Sequence, residues 1–118
     1  MSDKFIPDYN DLLDLAKRIG KLTREVGLLD ITIKSIEATT VKTVTNDTNY
    51  FLSGKPLSME YIKSTWKYVG IDGKLLEFRI ELVKKEAELE EAKLTFQAMR
   101  DMVTIYVTDS ANMRSTHL

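Results

Sequence analysis

The stretch Leu12–Ile36, LLDLAKRIGKLTREVGLLDITIKSI, decides the fold. Its apolar residues Leu12, Leu15, Ile19, Leu22, Val26, Leu29, Ile33 and Ile36 recur at spacings of 3-4-3-4-3-4-3. On a helix of about 3.6 residues per turn these side chains form one continuous seam, the pattern of a helix that packs lengthwise on another. Asp8, which follows Pro7, can accept from the free amides of a first turn, so the helix is expected to open at Asp8 or Tyr9. Phe5 or Ile6 would then fold back on that turn. Past Ile36 the pattern continues only as Thr40 and Thr43, inside the run Thr39-Thr40-Val41-Lys42-Thr43-Val44-Thr45, where β-branching lowers helix propensity. The helix is therefore placed over residues 8–38, with an extension to 46 open.

A matching seam runs through Leu75, Phe78, Leu82, Lys85, Leu89, Ala92, Phe96, Met99, Val103 and Tyr106. Two seams in one chain imply self-pairing, and the expected fold class is all-α: a long antiparallel helical hairpin of coiled-coil type. Gly70 and Gly73 punctuate the start of the second helix and Asp72 can cap it, which places that helix over 72–108, with a polar, frayed tail over 109–118. Between the long helices, 39–57 reads as a loop. Met59, Ile62, Trp66 and Val69 then repeat at 3-4-3, with Ser58 before them and Gly70 after, as in a short helix over 58–69. A β-hairpin over 39–52, turning at Asn46-Asp47, is the alternative, although Asn-Asp turns less well than Asn-Gly. With no internal repeat and no boundary, residues 1–118 read as a single helical domain, either a three-helix bundle or a dimeric helical bundle.

The second long helix carries a further apolar line. It runs through Leu76, Ile80, Val83 and Ala87, breaks, and resumes at Leu94, Ala98, Met102 and Ile105, roughly opposite the seam, where an exposed helix should be polar. The turn from Gly70 to Gly73 would let the short helix fold back over the first half, with Met59, Ile62, Trp66 and Val69 as its packing face. The second half, Leu94, Ala98, Met102 and Ile105, is expected to be a partner or oligomer interface, with a homodimer favoured. If the N-terminal segment or the loop covered it instead, the protein would be a monomeric three-helix bundle.

Charge argues for the hairpin. Lys17, Arg18, Lys21 and Arg24 cluster on the first helix, and Glu86, Glu88, Glu90 and Glu91 on the second. If Ile36 lies opposite Leu75, Lys21 falls near Glu90, and the clusters set register more than stability. Lys85, the polar member of its seam, can pack its stem while its ammonium reaches Glu81 or Glu88.

The remaining composition excludes more than it identifies. The 118 residues hold 17 Lys and Arg against 18 Asp and Glu, a net charge of −1, so there is no broad basic field and no nucleic-acid partner is expected. No apolar run is long enough to span a membrane, Met1-Ser2-Asp3-Lys4 lacks the layout of a secretory signal, and a cytoplasmic location is expected. With no Cys there are no disulfides, thiolate metal sites or Cys nucleophiles. The carboxylate pairs Asp11 with Asp14 and Glu88 with Glu91 have a spacing that can hold metal in bundles, but they flank the seam or face outward and lie far apart along the axis. His117 stands at the chain end, away from any triad partner. Gly70-Ile71-Asp72-Gly73-Lys74 reads as a turn, and Trp66 reads as core. No catalytic residue, cofactor or metal is assigned. The expected function is a non-catalytic protein-interaction or scaffold module, and a small-ligand or metal-binding helical-bundle enzyme is the competing class.

Two long helices flanking a middle segment, with Trp66-Lys67-Tyr68-Val69-Gly70 shortly before the second, resemble the layout of a prefoldin-type chaperone subunit. That resemblance implies a chaperone-like alternative in which the middle segment forms β-hairpins. The helical reading of 58–69 departs from it.

Overall fold

The computed structural model describes residues 7–116; Phe5, Ile6 and His117 lie outside the described residues. The protein is all-α, with the order α1 (Tyr9–Asn46), a 3-10 turn (Thr48–Tyr50), α2 (Met59–Ser64), α3 (Trp66–Val69) and α4 (Lys74–Thr116). Among the described residues there is no strand, and no helix is long and apolar enough to cross a membrane. The described residues fall into two compact units, one over 24–86 and one made of residues 7–23 with 87–116.

In the unit Arg24–Glu86, α1 and α4 run antiparallel. Glu25 meets Lys85 at 3.1 Å and Glu37 meets Arg79 at 2.6 Å, so rising numbers on α1 face falling numbers on α4. The first pair lies within one residue of the register that sets Ile36 opposite Leu75. It also places the Lys85 ammonium 3.1 Å from Glu25 of the facing helix. The buried side chains of this unit are Ile33, Thr40, Val44, Ile62 and Leu75.

Thr40 and Val44 explain why α1 runs to Asn46 and why neither a loop from residue 39 nor a β-hairpin over 39–52 forms. They extend the buried face of α1 by two further steps of four residues beyond Ile36, and the gain from burying them outweighs the weak helix propensity of the Thr-rich run. The chain leaves the helix only at Asp47, whose carboxylate accepts from the Asn49 amide at 2.9 Å. Beyond the 3-10 turn the chain makes one tight reversal at Ser53-Gly54, both at positive φ, with Leu52 and Lys55 exchanging hydrogen bonds of 2.9 and 3.0 Å. The β-hairpins implied by the prefoldin-type layout are therefore not present among the described residues.

The short helix expected over 58–69 is divided in two at Thr65. Ser58 caps α2, its hydroxyl accepting from the Tyr61 amide at 3.2 Å. Tyr61 O then receives the Thr65 amide at 3.0 Å, the Thr65 hydroxyl at 2.6 Å and the Ser64 hydroxyl at 3.1 Å. Thr65, which ends α2 and precedes α3, turns to φ −119°, ψ −75°. Gly70 comes after α3 at φ +81°, and α4 begins at Lys74, whose amide donates to Asp72 Oδ1 at 3.1 Å.

In the other unit, α1 opens with a reciprocal cap: the Asp8 amide donates to Asp11 Oδ2 at 3.2 Å and the Asp11 amide to Asp8 Oδ1 at 2.9 Å. Leu22 and Ala92, one from each seam, are buried. Arg18 of the basic cluster and Glu88 of the acidic one meet at 3.9 Å, both side chains being exposed. The tail expected to fray from 109 is helical to Thr116. Asp109–Thr116 contains neither Gly nor Pro, so nothing there breaks the ladder of backbone hydrogen bonds.

Candidate functional site

The late apolar line of α4 is bare. Leu94 is 62% exposed, Met102 39% and Ile105 59%, and Ala98 is exposed as well. Tyr106 and Val107 extend the exposed apolar surface toward the C-terminal end. Leu94, Ala98, Met102 and Ile105 share one helix face because they follow one another at steps of four, four and three. Other residues of the same helix, Ala92 and its seam neighbours Phe96 and Met99, are buried or half-buried.

The early half of the line is bare too. Leu76, Ile80, Val83 and Ala87 are exposed or half-exposed, so the short helices do not cover them. The break at Thr65 is the physical reason, because Met59, Ile62, Trp66 and Val69 no longer form one stripe. Ile62 is fully buried, whereas Met59 and Val69 are exposed. Trp66 is half-buried and meets the Tyr50 ring edge-on, with centroids 5.1 Å apart.

The short helices are fastened to α4 by Arg79, a residue the apolar pattern does not single out. Its Nε donates to Tyr68 O at 2.9 Å, and its Nη2 donates to Lys67 O at 3.1 Å and to Glu37 Oε2 at 2.6 Å. The guanidinium also lies 4.8 Å from the centre of the Tyr68 ring. The last carbonyls of a helix lack partners within it, and a planar guanidinium fork can serve two of them and a carboxylate together. The need for such a donor at the end of α3 is the one sequence signal that could have pointed to Arg79.

On the other side of α2 and α3, Met59, Lys63 and Lys67 face Lys34, Glu37, Ala38, Val41, Lys42, Thr45 and Asn46 of α1 across an open groove of about 630 Å³, in which the one carboxylate, Glu37, is held by Arg79. Ala38, Val41 and Met59 make it apolar, and lysines stand on both walls. Lys34 pairs with Asp30 at 3.0 Å, while Lys42, Lys63 and Lys67 form no ion pair among the described residues.

Two of the four carboxylates with metal-binding spacing have other work. Asp11 is spent on the cap of α1 and Glu88 faces Arg18. Asp11, Asp14, Leu15 and Arg18 border a shallow notch with Thr95 and Met99, in which Arg18 supplies a cation. No group of three or more metal-ligating side chains occurs among the described residues. The turn from Gly70 to Lys74 is a helix connection that places no phosphate cradle. The chain matches no protein-family model, no curated protein and no solved structure, so these residues alone bear on its function.

Proposed function

We propose that this chain is a cytoplasmic, non-catalytic protein-interaction module that self-associates as a homodimer through the bare face of α4, with Leu94, Ala98, Met102 and Ile105 at the contact. The observation that carries the reading is the exposure of those residues along one face of a helix whose opposite face is already packed. A contiguous apolar surface of this kind on a small protein costs solubility unless something covers it, and a second copy is the simplest complement because both surfaces are then the same.

The test is solution mass. Light scattering on the unmodified chain is expected to give twice the 13.5 kDa of one copy. Leu94→Glu with Met102→Glu is expected to return the mass to that of one copy while circular dichroism shows the same helicity. A mass that does not change on substitution overturns the reading.

A further inference from the structure

We infer that the lysine-walled groove between α1 and α2–α3 is the docking site for the acidic middle of the α4 face of a second copy of this chain. The inference rests on the self-association proposed above and adds a second contact with its own chemistry.

The groove combines an apolar floor with cations that have no ion-pair partner among the described residues. Ala38 and Val41 from α1 and Met59 from α2 supply the floor. Lys42 on one wall and Lys63 and Lys67 on the other carry those ammonium groups. Thr45, whose buried Oγ1 has no hydrogen-bond partner, lines the same groove. An occupant must therefore be apolar on the side facing the floor and anionic toward the walls.

The exposed face of α4 offers that chemistry where its apolar line breaks. Ala87, Glu90 and Glu91 stand at positions i, i+3 and i+4, neighbours on one face of the helix. Each is exposed or half-exposed, and the Glu90 and Glu91 carboxylates form no ion pair among the described residues. The break that interrupts the apolar line is thus where the helix carries unpaired negative charge, as the groove carries unpaired positive charge. In a two-fold dimer the contact forms twice, each copy giving one groove and one helix. The groove has no aromatic side chain on which a nucleic-acid base could stack, so its chemistry favours the carboxylates of a helix over a phosphate strand.

Charge exchange tests the docking in the full-length chain by sedimentation equilibrium or light scattering. Lys42→Glu with Lys63→Glu, and separately Glu90→Lys with Glu91→Lys, are each expected to weaken dimerisation by about tenfold or more, the scale of closely approaching interfacial charges. A chain carrying all the exchanges restores opposite signs and is expected to regain the dimer. Circular dichroism verifies that each variant is folded. Salt gives an independent measure on the unmodified protein, whose dimer is expected to loosen as ionic strength rises.

The inference is overturned if the groove exchanges leave the mass unchanged, if the full exchange fails to restore it, or if salt has no effect. Met102→Glu with Ile105→Glu separates this outcome from failure of the apolar interface. If that pair dissociates the dimer and the groove exchanges do not, the apolar reading stands and the groove inference falls. A chain that is monomeric throughout overturns both. A single-stranded oligothymidylate that binds the unmodified protein but not the Lys42→Glu, Lys63→Glu variant, with no change in mass, reassigns the groove to a polyanion.

Discussion

The guanidinium of Arg79 on α4 lies 2.6 Å from the carboxylate of Glu37 on α1, the side chains being 23% and 19% exposed. The same nitrogen also serves the end of α3 through Lys67 O. One side chain thus joins three helices, which makes it the most consequential polar residue of its unit.

Arg79→Ala is expected to destabilise the protein by about 2–3 kcal/mol, because it strands a partly buried carboxylate and two helix-end carbonyls together. The value lies at the low end for broken buried pairs since water reaches both groups. Arg79→Lys should keep the charge and recover only part of this loss, because an ammonium lacks the planar fork. Urea denaturation followed by circular dichroism measures both.

Gly70 and Gly27 should respond to alanine with opposite signs. Gly70 has φ +81°, and a Cβ there would stand 2.7 Å from Leu75 Cβ, next to a fully buried side chain. Gly70→Ala is therefore expected to cost about 1–3 kcal/mol. Gly27 lies inside α1 with nothing within 4 Å of its added Cβ. Gly27→Ala should stabilise by about 0.5–1 kcal/mol, as expected when a helix-interior glycine gains a side chain without a clash. Thermal melts of the two variants give the comparison directly.

Ile62 is the one fully buried residue of α2. Ile62→Ala is expected to cost about 2–4 kcal/mol in lost burial and residual cavity. Met59→Ala, at a half-exposed position of the same short helix, should cost less than about 1 kcal/mol. Equal effects of the two changes in chemical denaturation would mean that Ile62 is not the apolar anchor of the short helices.

Asp8→Ala removes the acceptor for the Asp11 amide at the start of α1. A loss of about 1 kcal/mol is expected, the usual scale for an N-cap. Hydrogen exchange should rise at the Asp11 amide first, because that amide loses its acceptor, while amides near Leu22 keep their protection.

Much of the fold is legible in the sequence for a simple reason. The seam Leu12–Ile36 and its counterpart from Leu75 onward depend on helical periodicity, which is local, and Leu22, Ile33, Leu75 and Ala92 are buried where that periodicity places them. The Asp8 cap and the Gly70–Gly73 punctuation are local too. The apolar line through Leu94, Ala98, Met102 and Ile105 could be read for the same reason, and its exposure is what makes it a candidate site.

Other features depended on partners distant in the chain. Thr40 and Val44 turn a run of poor helix formers into helix because a core is there to receive them. Thr65, at φ −119° and ψ −75°, divides a helix that apolar spacing alone makes continuous. Arg79 and Glu37 are separated by 42 residues, and no local pattern joins them. The amino-acid sequence by itself determined that the chain is helical and which faces are apolar, because periodicity and capping act within a few residues. Only tertiary structure decided which of those faces are covered, and that Lys42 and Lys63 stand across one groove, because burial and charge pairing depend on what the folded chain brings near.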